Sequence, residues 1–124
     1  MKAKVNWVLF LKLNNQNKCK DVIKDVSNWT KIDFNWETFE VKQYWKDTAL
    51  YRVTIESELK WANDIKETFW EFIVSLNEIS GKWLFNLNFD PSLDGFAGHS
   101  KSGMIRQDFL CIECVDFEVE RVNL

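Results

Sequence analysis

The chain offers few residue groups whose types and spacing could do chemistry. The first is Cys111-Ile112-Glu113-Cys114. A redox pair at this spacing works where it opens a helix, because the dipole lowers the thiol pKa. Here it sits inside a strand-like run. Residues three apart on a strand face opposite sides, so the two sulfurs would not meet without a bulge. A zinc site needs two further ligands at matching spacing. Cys19 and His99 are the only other soft ligands, and Cys19 belongs to a helix core face. The two cysteines read as small packing residues, and no metal or cofactor is expected.

His99 is the second candidate. It lies in Asp90 to Gly103 (DPSLDGFAGHSKSG), which reads as a loop and holds three of the four Gly, the only Pro and the only His. Loops carry function disproportionately. Asp90, Asp94, Asp108, Ser92, Ser100 and Ser102 are close in sequence, so a general base or a hydrolytic triad can be drawn. A triad is recognised by geometry, however, and the nucleophile-elbow pattern is absent. The loop also does not match the Gly-Lys-Ser/Thr of a phosphate-binding loop, since its Lys101-Ser102 follows Ser100 rather than Gly. No catalytic residue is assigned.

Aromatics interleaved with basic residues form a third group: Trp36, Tyr44, Trp45 and Tyr51 with Lys42, Lys46 and Arg52. Stacking on single-stranded nucleic acid uses such residues. The basic-Gly-aromatic signature of RNA-recognition domains is missing. The chain is also acidic, with 16 basic against 19 acidic residues and a net charge of −3. Nucleic acid is therefore not the expected partner.

The charge is unevenly spread. Residues 1–62 carry 11 basic and 8 acidic side chains, and residues 63–124 carry 5 and 11. Two acidic stripes follow from periodicity. On a helix, Asp64, Glu67, Glu71 and Glu78 fall within about 60° of one another, and Trp70 borders them. On the last strand, Asp116, Glu118 and Glu120 share one face, with Glu113 close by. The bland reading is a solvated surface. The functional reading is a negative patch with aromatic anchors facing a basic partner, in which carboxylates steer association and a desolvated Trp supplies affinity.

The elements that must position these residues follow from hydrophobic period. Val5 to Leu13 is apolar on both faces and reads as a buried central strand. Asn15 or Asn17 can cap a helix whose core face is Cys19, Val22, Ile23, Val26 and Trp29. Ile32, Phe34 and Trp36 alternate, and the step to Phe39 breaks the period, marking a turn or bulge. Residues 38–45 and 49–57 read as a hairpin. Ser57 can cap the next helix and Gly81 can close it. Its core face is Ala62, Ile65, Phe69, Phe72, Ile73 and Leu76, flanked by Trp61, with Trp70 partly exposed. Trp83, Phe85, Leu87 and Phe89 alternate as a strand. Met104 to Val122 is strand-like throughout, with a bend near Glu113.

The order β-α-β-β-α-β-β implies an α+β fold. It is an antiparallel sheet with two helices on one face, a ferredoxin-like split βαβ with an extra C-terminal strand. One domain spans residues 1–124. At 46% hydrophobic residues the chain is not disordered, and no apolar run is long enough for a membrane span. The apolar N-terminal run is broken by Asn6 and Lys12 and followed by no small-residue cleavage site, so it reads as a strand rather than a signal peptide. Three cysteines, an odd number, suit a reduced, cytoplasmic setting.

A short acidic domain with seven Trp, no catalytic signature and the Lys/Asn/Ile-rich stretch NNQNKCKDVIKD resembles the small bacterial immunity proteins of polymorphic and contact-dependent toxin systems. The resemblance implies a non-enzymatic protein that binds and blocks a cognate toxin domain. Many such toxins are basic nucleases, which the acidic stripes would suit. A small-molecule-binding or regulatory domain, or an enzyme using His99 with a carboxylate, are the alternative expectations.

Overall fold

Strict alternation along the first strand sets the architecture. Ala3, Val5, Trp7, Leu9 and Leu11 are fully buried, while Lys4, Asn6, Val8 and Phe10 between them are half-buried. Only one face of the sheet is therefore covered, so β1, although interior in the sheet, is not buried on both faces as its apolar run implies, and Val8 and Phe10 lie on the open side. A computed structural model describes residues 1–86, 88–109 and 111–122. Its elements are β1 (Lys2–Lys12), α1 (Lys18–Thr30), β2 (Phe34–Gln43), β3 (Leu50–Lys60), α2 (Ile65–Ile79), β4 (Leu84–Phe85), β5 (Ala97–Lys101) and β6 (Ile112–Arg121), with a 3-10 turn at Gln107–Phe109 before β6. Among the described residues the strands form one six-stranded antiparallel sheet in the order β2-β3-β1-β6-β5-β4. The fold is α+β.

Both helices lie against the covered face. Their buried residues (Cys19, Ile23 and Val26 on α1; Phe72, Leu76 and Ile79 on α2) join one apolar cluster with the inward residues of β1, β3 and β6. The helices also touch each other, where the Ser75 hydroxyl donates to the Thr30 carbonyl at 3.2 Å. Trp7 sits at the centre. Its ring meets Phe34 and Phe72 edge-on, with centroids 5.9 and 6.0 Å away. Its buried indole N–H donates to Ser57 Oγ at 2.8 Å, which keeps the polar end of the ring from being stranded.

The caps differ from the sequence expectation. Ser57 lies in β3 beneath Trp7, so it cannot start α2. Asp64 starts it instead, its carboxylate accepting from the Lys66 N–H at 3.0 Å. The C-cap is Ser80 in extended conformation, so Gly81 does not close the helix. Ala62 precedes α2 and is exposed. On α1, Trp29 leaves the expected core face and is 44% exposed.

The order of elements also differs. The extra strands are not added at the C-terminus. They fall between α2 and the last strand, while β6 takes an interior position beside β1. The expected strand over Trp83 to Phe89 is paired only at Leu84–Phe85, and Leu87 is outside the described residues. The expected loop of residues 90–103 contains β5, because Gly98 and its neighbours hydrogen-bond between β4 and β6. Met104 lies in a turn, Ile105 forms an isolated bridge with Ser80 and Gln107–Phe109 is 3-10 helix, so the last strand begins at Ile112.

The ladder is irregular both at the expected break before Phe39 and at Glu113, where a bend was expected. Four residues of β2, Trp36 to Phe39, lie opposite the single residue Ile55 of β3. Thr38 closes the gap by accepting from the Glu56 N–H at 2.9 Å and donating to the Asn35 carbonyl at 2.6 Å. On β6, Ile112 pairs with Leu11 and Cys114 with Phe10, leaving Glu113 as the extra residue of a bulge.

Candidate functional site: the outer face of the second helix and the open face of the sheet

The layering separates the two acidic stripes. Asp116, Glu118 and Glu120 alternate with the buried Val115, Phe117 and Val119, so they stand on the uncovered face of the sheet. Asp64, Glu67, Glu71 and Glu78 belong to α2 on the opposite side. No single surface contains both sets. Glu113, in the bulge, is outside the alternating row.

Within α2 the four acids have different duties. Asp64 caps the helix. Glu78 accepts from the Trp29 indole N–H at 2.8 Å and lies 3.7 Å from Arg106, whose guanidinium stacks 4.0 Å from the Trp29 ring. Arg106 also holds Asp108 at 2.6 Å. This knot ties α1, α2 and the 3-10 turn together, and sequence reading missed it because its partners are 28 and 49 residues from Glu78. Glu67 and Glu71 have no cation within ion-pair distance among the described residues. Beside them Trp70 is 65% and Val74 58% exposed, one helical turn apart. An aromatic and aliphatic ridge thus runs along a pair of uncompensated carboxylates.

On the open face, Glu120 is paired with Lys4 at 3.4 Å and accepts from the Asn6 amide at 3.2 Å. Lys4 also reaches Glu56 at 3.6 Å. The flanking carboxylates hold the Lys4 ammonium pKa above its ordinary value, Glu56 first and then Glu120. Asp116 pairs with His99 across the β5–β6 ladder. A carboxylate only accepts, so His99 Nδ1 donates to Asp116 Oδ1. Among the described residues Glu118 has no such partner.

His99 is therefore held by Asp116, not by Asp90, Asp94 or Asp108. Two of the three serines drawn with it go elsewhere. Ser100 alternates to the covered face, where its buried hydroxyl bonds Ser80 Oγ at 2.6 Å, and Ser92 bonds Asp90. Those bonds hold the Asp90 carboxyl below its ordinary pKa. The hydrolytic triad drawn from sequence is not assembled. His99 and Asp116 instead line a shallow groove of about 400 Å³ with Asn6, Val8, Leu84 and Glu118. Sequence reading placed His99 in a loop and did not foresee this groove.

The remaining candidates disperse. All three cysteines are free thiols. Cys114 faces Phe10 across the ladder, and Cys111 precedes the strand. Burial pushes each of the three thiol pKa values up. Among the described residues there is no group of three or more possible metal ligands. Trp36 and Tyr51 pack against the core, while Tyr44 meets Phe10 edge-on at 4.9 Å and Trp45 is 79% exposed under Lys46. The aromatic and basic hairpin residues thus do not make one stacking platform. No helix among the described residues is long and apolar enough to cross a membrane. Comparison with protein-family models, curated proteins and solved structures finds no match.

Proposed function

We propose that this protein is a non-enzymatic interaction module, an immunity protein that binds and blocks a cognate bacterial toxin domain in the cytoplasm. The observation that carries the reading is the outer face of α2, where Trp70 and Val74 are exposed beside Glu67 and Glu71. Large apolar side chains left in water on a domain that has already filled its core are the usual anchors of a binding surface. Two unpaired carboxylates at their side favour a basic partner, such as a nuclease domain. Blocking would occur by occlusion, with Trp70 desolvated at the centre and the carboxylates steering association.

The strand order also supports a ferredoxin-like reading of the quartet β2-β3-β1-β6 with its two helices, extended at one edge by β4 and β5. The alternative reading, a small-molecule-binding or regulatory domain or an enzyme using His99, draws on the open-face groove. Thermal stabilisation by a ligand panel is its test.

The experiment for the first reading uses the tagged protein to capture its partner from the native host at low and high salt, followed by affinity measurement on the purified pair. Trp70→Ala is expected to weaken binding by about 30-fold or more, the scale of a hot-spot aromatic. Glu67→Lys with Glu71→Lys should weaken it further and flatten its salt dependence. An unchanged affinity in both variants would remove α2 as the binding surface.

A further inference from the structure

We infer that the groove on the open face of the sheet, at His99, Asp116 and Glu118, seats the guanidinium of an arginine carried by an extended polypeptide. The groove lies on the opposite layer from α2 and is argued independently of that surface.

The first argument is the balance of donors and acceptors. The amide nitrogens of both asparagines lining the groove are turned to protein acceptors. Asn6 donates to Glu120 at 3.2 Å, and Asn86 to the Gly95 carbonyl at 2.7 Å. His99 has committed Nδ1–H to Asp116. What remains open to a ligand is a surplus of carboxylate and amide oxygens: the Glu118 carboxylate, the second oxygen of Asp116 and the Asn6 carbonyl. Lys4 pairs with Glu56 and Glu120, and among the described residues Glu118 has no cation within ion-pair distance. A ligand that brings only donors and positive charge is the complement.

The second argument is the apolar part. Val8 and Leu84 belong to the same groove, and Leu84 is 67% exposed. A guanidinium is planar, weakly hydrated on its faces and carries five donors in its plane, whereas an ammonium is a compact, strongly hydrated point charge. Acceptors around an apolar floor therefore favour arginine over lysine. The arginine stem can lie along Val8 and Leu84 while its head reaches the carboxylates.

The third argument is shape. The groove is shallow, and sites for free small molecules enclose most of the ligand. It adjoins a second concavity of about 410 Å³ lined by Thr38, Glu40, Thr54 and Glu56, with Asn6 and Val8 common to both. The pair spans β2 to β4, five interstrand spacings or roughly 24 Å. That is the length of about seven extended residues. Glu40 adds a further carboxylate at the far end.

The test titrates the isotope-labelled full chain with the peptide acetyl-Gly-Gly-Arg-Gly-Gly-amide, its lysine counterpart and acetyl-arginine-methylamide, read by backbone amide shifts. The expected result is saturable shifts at Ala97, His99, Asp116 and Glu118 with the arginine peptide, and at least fivefold weaker binding of the lysine peptide. Glu118→Gln should weaken the arginine peptide about tenfold by removing a charge-assisted bond. Glu71→Gln, on the other layer, should leave it unchanged. Equal affinity for the two peptides, no saturable shift in the groove, or shifts confined to α2 would overturn the proposal. Affinity of acetyl-arginine-methylamide equal to that of the peptide would overturn its polypeptide part. None of these results touches the α2 surface, whose test is the Trp70 and Glu67/Glu71 variants.

Discussion

Gly98 is the most constrained position in the sheet, and replacing it tests the packing that supports the groove. Gly98 pairs with Phe117 on β6 and with Phe85 on β4. A methyl group added there would overlap Phe117 Cε1, and would stand 2.8 Å from Phe117 Cζ and 3.0 Å from Phe85 Cδ1. Phe117 cannot swing away freely, because it is 3% exposed and its ring meets Trp7, Phe72, Trp83 and Phe96 at 5.2 to 5.6 Å. Overpacking of this kind costs about 1–3 kcal/mol. Narrowing the unfolded ensemble by Gly→Ala returns up to about 1 kcal/mol. The net range is about 0–3 kcal/mol, and because Phe117 is held on all sides Gly98→Ala is expected near its middle, at about 1–2 kcal/mol, with Tm lower by roughly 3–10 °C. Gly81→Ala is the control, since nothing lies within 4 Å of its added methyl, and it should be neutral or slightly stabilising. Urea titration followed by tryptophan fluorescence, with a thermal scan by circular dichroism, gives both numbers. A Phe117→Leu background should recover part of the Gly98→Ala loss. If Gly98→Ala matches the parent or tracks Gly81→Ala, the aromatic contact does not impose glycine here and the reasoning fails.

Two other predictions concern stability. Ser57→Ala leaves the buried Trp7 indole N–H without its acceptor and should cost about 1–3 kcal/mol in the same urea titration; a loss below about 0.3 kcal/mol would show that the bond is not the ring's anchor. Lys4 has a folded pKa raised by Glu56 and Glu120, so its contribution is complete below the ordinary lysine range and is lost as pH climbs through the raised value. Stability measured across the alkaline range should fall less steeply in Lys4→Met than in the parent, and identical slopes would contradict the pairing.

The aromatic excess finds its explanation in three dimensions. Trp7, Phe72, Phe96 and Phe117 are core, and Trp83 packs against it. The exposed Trp29, Trp45 and Trp70 have separate settings: Trp29 in the Arg106 knot, Trp45 at the hairpin tip, and Trp70 on the outer face of α2. Composition gives all seven Trp equal weight. Helical phase alone was enough to set Trp70 apart, because its angle from the core face follows from position in the chain.

What the sequence by itself determined is what a fixed period can encode. The phase of α2 about Phe72 and Leu76 and the break before Phe39 are local, since each depends on neighbours within a few residues. The sequence also placed Asp116, Glu118 and Glu120 on one strand face. Only the tertiary structure decided where the last third of the chain goes. β5 is a strand because β6 and β4 supply hydrogen-bond partners for Gly98 and its neighbours, and no local signal in a Gly/Ser-rich segment announces such partners. The same is true of His99 beside Asp116, Glu78 beside Trp29 and Arg106, and the two acidic stripes on opposite layers. Each depends on which residues distant in the chain are brought side by side, and pairing at long range carries no period that a single sequence can display.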